Sequence, residues 1–136
     1  MKKLFLILAV VFAAIACNRS ESVLLESREN LNKQCPKQID KITTLTSVDY
    51  EKGDLYFVYN YTVDSRIDTD KIVKDIESEF DNNVDSKKMA FREACVKSNV
   101  LILYRYKCTK NGEDFGVQYD PECGAAKLVG YDIAGE

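Results

Sequence analysis

The chain has 136 residues, with 19 basic and 22 acidic side chains and a net charge of −3. This length suits one domain with a single core, and the mixed charges lack the basic block that nucleic-acid binding needs. The chain contains no His, which excludes Ser-His-Asp and Cys-His catalysis and removes the commonest zinc ligand.

The first seventeen residues predict export. Lys2 and Lys3 precede an unbroken apolar run of thirteen residues, Leu4 to Ala16, and Cys17 follows directly. The run is short for a membrane-spanning helix and is typical of a bacterial signal peptide. Cys17 resembles a lipobox cysteine, although Ala14 stands where Leu is commoner. The prediction is a signal peptide over 1–16, a lipidated Cys17 with a tether over 17–22, and one domain over 23–136. Plain secretion and a retained anchor are the alternatives.

The first half of the domain predicts a helix and two strands. A helix over 22–34 is capped by Ser22 and stopped by Pro36, and it carries a narrow apolar stripe. The Thr-rich run 38–48 predicts a strand, and Lys52-Gly53-Asp54 predicts a turn. The clearest strand is 55–63, in which alternate residues face the core. These are Leu55, Phe57, Tyr59, Tyr61 and Val63.

The second half predicts helical structure and a hairpin. Ile72, Ile76 and Phe80 lie four residues apart and predict a helix over 70–80. A second helical stretch starts near Asp85 and runs towards Cys95, after either a kink or a break. A strand follows over 99–110, with Val100, Ile102, Tyr104, Tyr106 and Cys108 on its core face. Asn111-Gly112 indicates a hairpin turn, and Phe115, Val117 and Tyr119 alternate on the return strand. The segment from about 124 either packs through its few apolar residues or is loose.

A two-residue loop at Asn111-Gly112 fixes a register for this hairpin. It sets Phe115 opposite Cys108, and Cys123 near the start of the strand that Cys95 leads into. This favours a Cys95–Cys123 disulfide and, by elimination, a Cys35–Cys108 disulfide, one of three possible pairings. Free buried thiols and a thiolate metal site are the alternatives.

The order of a helix, a hairpin, helices and a second hairpin resembles the cystatin-like α+β arrangement, with about four antiparallel strands. Over about residues 30–123 the chain also resembles small exported bacterial proteins of unknown function. This likeness is carried by the run from Cys35 to Asp40, Tyr59-Asn60-Tyr61, Tyr104-Arg105-Tyr106, Asn111-Gly112 and Cys123. The resemblance implies a fold and supplies no catalytic residue.

Two groups of side chains are candidates for function. Five tyrosines share the predicted core face, where they either bind a peptide or glycan or form the rim of the core beneath a helix. They are Tyr59, Tyr61, Tyr104, Tyr106 and Tyr119. Tyr56 and Asn60 lie on the opposite face and are the better candidates for binding. The acidic residues around the 70–80 helix indicate helix caps and a solvated face; residues 64–68 lack the pattern of an EF-hand loop, and a weak calcium site over 81–85 is the alternative. The acidic residues are Asp64, Asp68, Asp70, Asp75, Glu77, Glu79, Asp81 and Asp85.

We therefore predict no catalytic residue, no cofactor and no metal site. The expected function is a non-catalytic module that binds a protein or an envelope ligand. Lipid on Cys17 would hold it at the bacterial outer membrane, facing the periplasm. An inhibitor of a secreted hydrolase is one version, by fold analogy alone. A carboxylate- or thiol-based enzyme or metal site, and a structural or assembly component of the envelope, are the alternatives.

Overall fold

The computed structural model describes residues 19–82 and 85–135. The predicted signal peptide over 1–16 and the predicted lipidation site, Cys17, lie outside the described residues. Within the described part, no helix is both long and apolar enough to cross a membrane.

The described chain forms three α-helices, six strands and a short terminal helix. Residues 19–34 are helical (α1), so residues 19–22 of the predicted tether belong to this helix. The remaining elements are β1 Lys37–Gln38, β2 Thr43–Asp49, β3 Tyr56–Val63, α2 Thr69–Asn82, α3 Ser86–Lys97, β4 Leu101–Cys108, β5 Asp114–Asp120, β6 Ala125–Val129 and a 3₁₀ helix Tyr131–Gly135.

The strands form one open sheet in the order β1-β2-β3-β4-β5-β6. Every neighbouring pair is antiparallel except β3 and β4, which are parallel. The prediction of about four antiparallel strands was wrong here. A parallel pair needs a crossover that returns the chain to the same end of the sheet, and α2 and α3 form it. The fold is mixed α+β, and the cystatin-like arrangement is not confirmed.

Local hydrogen bonds explain where the elements differ from their predicted bounds. The predicted strand over 38–48 is broken by a turn in which the Asp40 carboxylate accepts from the backbone N–H groups of Ile42 and Thr43, at 2.9 and 2.8 Å. The helical stretch after Asn82 is a separate helix. Asp85 caps it by accepting from the Lys88 N–H at 2.8 Å.

The C-terminal segment is an ordered part of the sheet. After β5 a turn closes with Gly124, whose φ is +77° and whose N–H donates to the Asp120 carbonyl at 2.8 Å. The chain returns as β6, with Tyr119 opposite Ala126.

The three α-helices cover one face of the sheet, and the predicted core faces of β3 and β4 are confirmed. Phe57, Val63 and Ile102 are fully buried, and Cys108 is 4% exposed. Leu55 was wrongly assigned to the core, because it precedes β3 and is 70% exposed.

The β4–β5 hairpin keeps its predicted faces but not its predicted register. Phe115 lies opposite Tyr106 instead of Cys108, a slip of two residues. The loop is longer than predicted, since the Cys108 N–H donates to the Glu113 carbonyl at 3.0 Å. Gly112 has a positive φ of +69°, whereas Asn111 uses its side-chain oxygen to accept from the Glu113 N–H at 3.0 Å. Because side chains alternate along a strand with a period of two, a register shift of two residues leaves each side chain on its predicted face. The predicted pattern of buried residues is therefore correct although the register is not.

Side chains of α1 bind the part of the β2 edge that the short strand β1 does not pair with. The Asn32 amide donates to the Val48 carbonyl and accepts from the Val48 N–H, both at 2.8 Å. The Arg28 guanidinium donates to the Tyr50 carbonyl at 2.7 Å. These bonds fix α1 alongside the sheet, where it forms one wall of the groove described next.

Candidate functional site

Four tyrosines form a stacked array on the two central strands, here called the tyrosine ladder. The parallel register sets Tyr59 opposite Tyr104 and Tyr61 opposite Tyr106. The Tyr59 and Tyr104 rings stack with centroids 5.2 Å apart and an interplanar angle of 9°. The Tyr61 and Tyr106 rings stack at 4.9 Å and 12°. The ladder exists because two Tyr-x-Tyr stretches lie in exact parallel register.

Further aromatic rings continue the ladder on both sides. Phe57 contacts Tyr59 at 5.3 Å, and Phe115 stacks on Tyr106 at 5.0 Å and 12°. Phe91 of α3 meets Phe57 edge-on at 4.8 Å. The faces of the stacked tyrosine rings therefore contact other rings. Because side chains stand roughly perpendicular to a sheet, ring edges and hydroxyl ends are what the ladder presents to the helical layer.

A groove of about 380 Å³ lies above the ladder, between the helices and the sheet. We call it the tyrosine groove. Its floor is Tyr59, Tyr61 and Tyr104; its walls are Ser27, Asn30, Leu31 and Gln34 of α1, Glu79 of α2, and Lys87, Lys88 and Phe91 of α3. The α1 residues follow the spacing of one helical face.

The charges of the groove lie where α2 gives way to α3. Lys88 Nζ and Glu79 Oε1 are 3.5 Å apart and form an ion pair between exposed side chains. Such a pair stabilises the fold by about 1 kcal/mol at most. Lys87 is exposed and has no ion-pair partner among the described side chains.

The tyrosine hydroxyls of the ladder are held in the neutral form. Burial raises the pKa of Tyr59, Tyr61, Tyr104 and Tyr106 above the ordinary value of 10.0, and the negative charge of Glu79 raises each pKa further. The hydroxyls therefore keep their protons at neutral pH and can donate hydrogen bonds.

The structure brings together some of the predicted candidates and separates others. Tyr59, Tyr61 and Tyr104 line the groove, whereas Tyr119 is fully buried in the core. On the opposite face, the Tyr56 hydroxyl donates to the Gln118 side chain at 3.2 Å. The Asn60 amide donates to Ser47 at 3.0 Å and to Asp49 at 2.7 Å. Sequence reasoning missed the α1 wall, although its helical spacing from Ser27 to Gln34 was visible.

The four described cysteines are free thiols, and neither predicted disulfide is present. Cys95 is fully buried, whereas Cys123 is exposed in the β5–β6 turn. The predicted Cys95–Cys123 bridge depended on the wrong register and on β5 continuing past Asp120. The Cys35–Cys108 bridge followed only by elimination; Cys35 Sγ instead donates to the Leu31 carbonyl at 3.2 Å. Burial raises the pKa of the Cys95 thiol to about 12, so this core side chain keeps its proton at neutral pH.

Several predicted acidic residues hold the fold together. Asp68 accepts from the N–H groups of Asp70 and Lys71 at the start of α2, at 3.1 and 3.3 Å. Glu77 accepts from the Ala126 N–H at 3.2 Å and so covers part of the β6 edge. Across residues 19–82 and 85–135, no three Cys, Asp or Glu side chains come together in a way that could hold a metal ion.

Comparison with known proteins defines a class by fold. A crystal structure from Pseudomonas aeruginosa, described as a "putative secreted protein", is similar, with a TM-score of 0.54 at 10% sequence identity. The match covers 82% of this chain and 89% of that chain. At this identity the similarity shows a shared fold alone.

The family follows from the sequence. The model of the family described as "Domain of unknown function (DUF8479)" matches residues 18–115, and the chain belongs to this family. The matched segment contains every residue that lines the tyrosine groove. A search of curated proteins finds no match.

Proposed function

We propose that this protein is an exported, non-catalytic binding protein that holds a small ligand in the tyrosine groove. The observation that carries the proposal is the groove itself, in which an aromatic floor meets a rim of a few polar side chains. Small-molecule sites have this composition, and the volume of about 380 Å³ is within their range of about 300–1,000 Å³.

The chemistry of the lining supports binding more than catalysis. The described lining residues include no His or Cys, and the one carboxylate among them, Glu79, lies against Lys88. The tyrosine hydroxyls are held neutral by burial, so none is poised as a base. Such groups orient a ligand through hydrogen bonds but do not form the acid–base pair that most hydrolases need.

The proposed location is the bacterial cell envelope. The support is the pattern of residues 1–17, with two lysines, an apolar run and Cys17. We propose removal of residues 1–16, lipidation of Cys17 and attachment at the outer membrane facing the periplasm. The described part of α1 starts at residue 19, so the domain would follow the anchor closely.

The test is a binding titration in which the groove is filled by mutation. The probe is 8-anilinonaphthalene-1-sulfonate, whose fluorescence rises in apolar sites, with the mature chain carrying Cys17→Ser to remove the acyl chains. Ser27→Trp places a large ring in the groove. Glu26→Trp makes the same kind of change at an exposed position outside the groove lining.

The expected result is one saturable site that Ser27→Trp weakens at least roughly tenfold and Glu26→Trp leaves intact, with both variants folded by circular dichroism. Binding that ignores Ser27→Trp, or no saturable binding by the folded protein, would overturn the proposal.

A further inference from the structure

The tyrosine groove carries an excess of positive charge. Its described lining residues include two lysines and one carboxylate, and that carboxylate is paired with Lys88 at 3.5 Å. Lys87 is left as an exposed cation without a partner among the described side chains. The remaining polar groups of the lining are hydroxyls and amides, which carry no charge. Among the described lining residues, a bound ligand therefore meets one positive charge that has no ion-pair partner.

The position of these lysines adds to the positive potential. Lys87 and Lys88 are the second and third residues of α3, whose first turn contains no acidic residue. The backbone N–H groups at a helix start carry partial positive charge, so a cation there is unfavourable by about 0.3–1 kcal/mol. Asp and Glu are the favoured residues in the first turn of a helix. Departures from such local preferences are expected at functional sites. The Asp85 carboxylate that caps α3 offsets part of this positive potential, and the two lysines outnumber it.

The floor restricts which kind of ligand fits. Sugars bind aromatic side chains by lying on exposed ring faces, but the ladder rings cover one another at 4.9 and 5.2 Å. Ring edges, together with Leu31 and Phe91, leave an apolar surface suited to a hydrocarbon chain. The neutral hydroxyls of the ladder can donate hydrogen bonds to an oxygen acceptor.

We infer that the groove binds a small monoanion, a carboxylate with an aliphatic tail. The tail lies along Leu31, Phe91 and the ring edges, and the carboxylate lies near Lys87. This inference rests on the proposed function and names the ligand class of the same groove.

The test compares three probes that share a ten-carbon tail and differ in charge: decanoate, decan-1-ol and decyltrimethylammonium. Affinities are measured by calorimetry on the mature chain with Cys17→Ser, below the concentrations at which the probes aggregate. Lys87→Gln removes the charge and Lys87→Glu reverses it. Lys97→Gln is the matched control, an exposed lysine at the other end of the same helix.

Decanoate is expected to bind more tightly than the other two probes. Lys87→Gln should weaken decanoate binding roughly twofold to fivefold, the size expected for an exposed ion pair, without affecting decan-1-ol. Lys87→Glu should move the preference towards the ammonium probe, and Lys97→Gln should change nothing.

The outcomes separate this inference from the function on which it rests. Equal affinity for all three probes, or no effect of Lys87 variants on decanoate, overturns the inference. Failure of decanoate to bind while 8-anilinonaphthalene-1-sulfonate still binds in the groove also overturns it alone. If no probe binding responds to Ser27→Trp, the proposed function fails as well.

Discussion

Asn32 gives the sharpest test of how the groove is built. Its side-chain amide replaces a strand partner for Val48, with one bond to the N–H and one to the carbonyl, both 2.8 Å long. Asn32→Ala removes both bonds and leaves two backbone groups of β2 without their partner. We expect α1 to loosen from the sheet edge, because these two bonds tie the helix to β2.

The magnitude follows from two opposing effects. Each hydrogen bond contributes about 0.5–1.5 kcal/mol net, so the pair contributes about 2 kcal/mol. Ala is a better helix former than Asn by roughly 0.5 kcal/mol, which offsets part of the loss. The expected decrease in the free energy of unfolding is therefore about 1.5 kcal/mol. Asn30→Ala is the matched control, since Asn30 lies on the same helix and no bond ties its side chain to β2.

Urea unfolding followed by circular dichroism measures both variants on the mature chain with Cys17→Ser. Asn32→Ala should lower the free energy of unfolding, and Asn30→Ala should leave it unchanged or raise it by roughly 0.5 kcal/mol. Because the two expected changes in the free energy of unfolding have opposite signs, a general effect of shortening a side chain to Ala cannot explain both. Equal changes in the two variants would refute the claim that Asn32 joins α1 to β2.

Three further predictions concern the core and the C-terminal segment. Gly116→Ala places a Cβ 3.0 Å from the Gly130 carbonyl oxygen and 3.2 Å from Val129 Cγ2. It should destabilise the protein by roughly 1–3 kcal/mol in urea unfolding, whereas Gly130→Ala meets no atom within 4 Å and should change stability by less than about 0.5 kcal/mol. Maleimide labelling with peptide mapping should modify Cys123 rapidly and the buried Cys95 only on unfolding; a Cys95–Cys123 or Cys35–Cys108 linked peptide from never-reduced protein would contradict the free thiols. Burial raises the pKa of Cys95 from 9.0 to about 12, so the unfolded chain loses this proton first as pH rises. The free energy of unfolding should then fall above about pH 9, by about 1.4 kcal/mol per pH unit for this group, and Cys95→Ala should make the fall less steep.

Local patterns predicted much of the fold because they depend on neighbours in sequence. Alternation identified the core faces of β3 and β4, since a strand side chain repeats every two residues whatever strand lies beside it. Four-residue spacing located α2 for the same reason. The end of β5 and the return strand β6 were missed, because Ala125–Val129 does not alternate clearly and its pairing depends on a partner across the sheet.

The sequence did not determine which strands would be neighbours. Tyr59-Asn60-Tyr61 and Tyr104-Arg105-Tyr106 are far apart in sequence, and either a parallel or an antiparallel pairing would bury their tyrosines. The predicted arrangement had two hairpins in an antiparallel sheet. The structure joins the two stretches through α2 and α3 in a parallel pair. The predicted disulfides are absent for a related reason. The proximity of Cys95 and Cys123 was inferred from a hairpin register that the β4–β5 pair does not have.

The candidate site was predictable in composition but not in shape. The alternation of residues predicted that the tyrosines share one face of the sheet. It did not decide whether that face binds a ligand or forms the rim of the core. Tyr119 is buried in the core, whereas Tyr61 lies in the floor of the tyrosine groove. This difference arises because the helices cover the sheet unevenly, which depends on tertiary packing. Lys87 gave a weak signal of its own, a lysine in the first turn of a helix, which is electrostatically unfavourable.

The parallel pairing of β3 and β4 connects the floor and the charge of the groove. Parallel strands place residues of equal spacing side by side along the whole pair, so Tyr59 and Tyr61 meet Tyr104 and Tyr106 as two stacked pairs. The same pairing requires a crossover, and its corner between α2 and α3 supplies Glu79, Lys87 and Lys88 above those rings. An antiparallel hairpin joined by a tight turn would have no such corner beside the ladder. The parallel topology, which the sequence did not predict, therefore brings neutral hydroxyls and an exposed lysine to one groove.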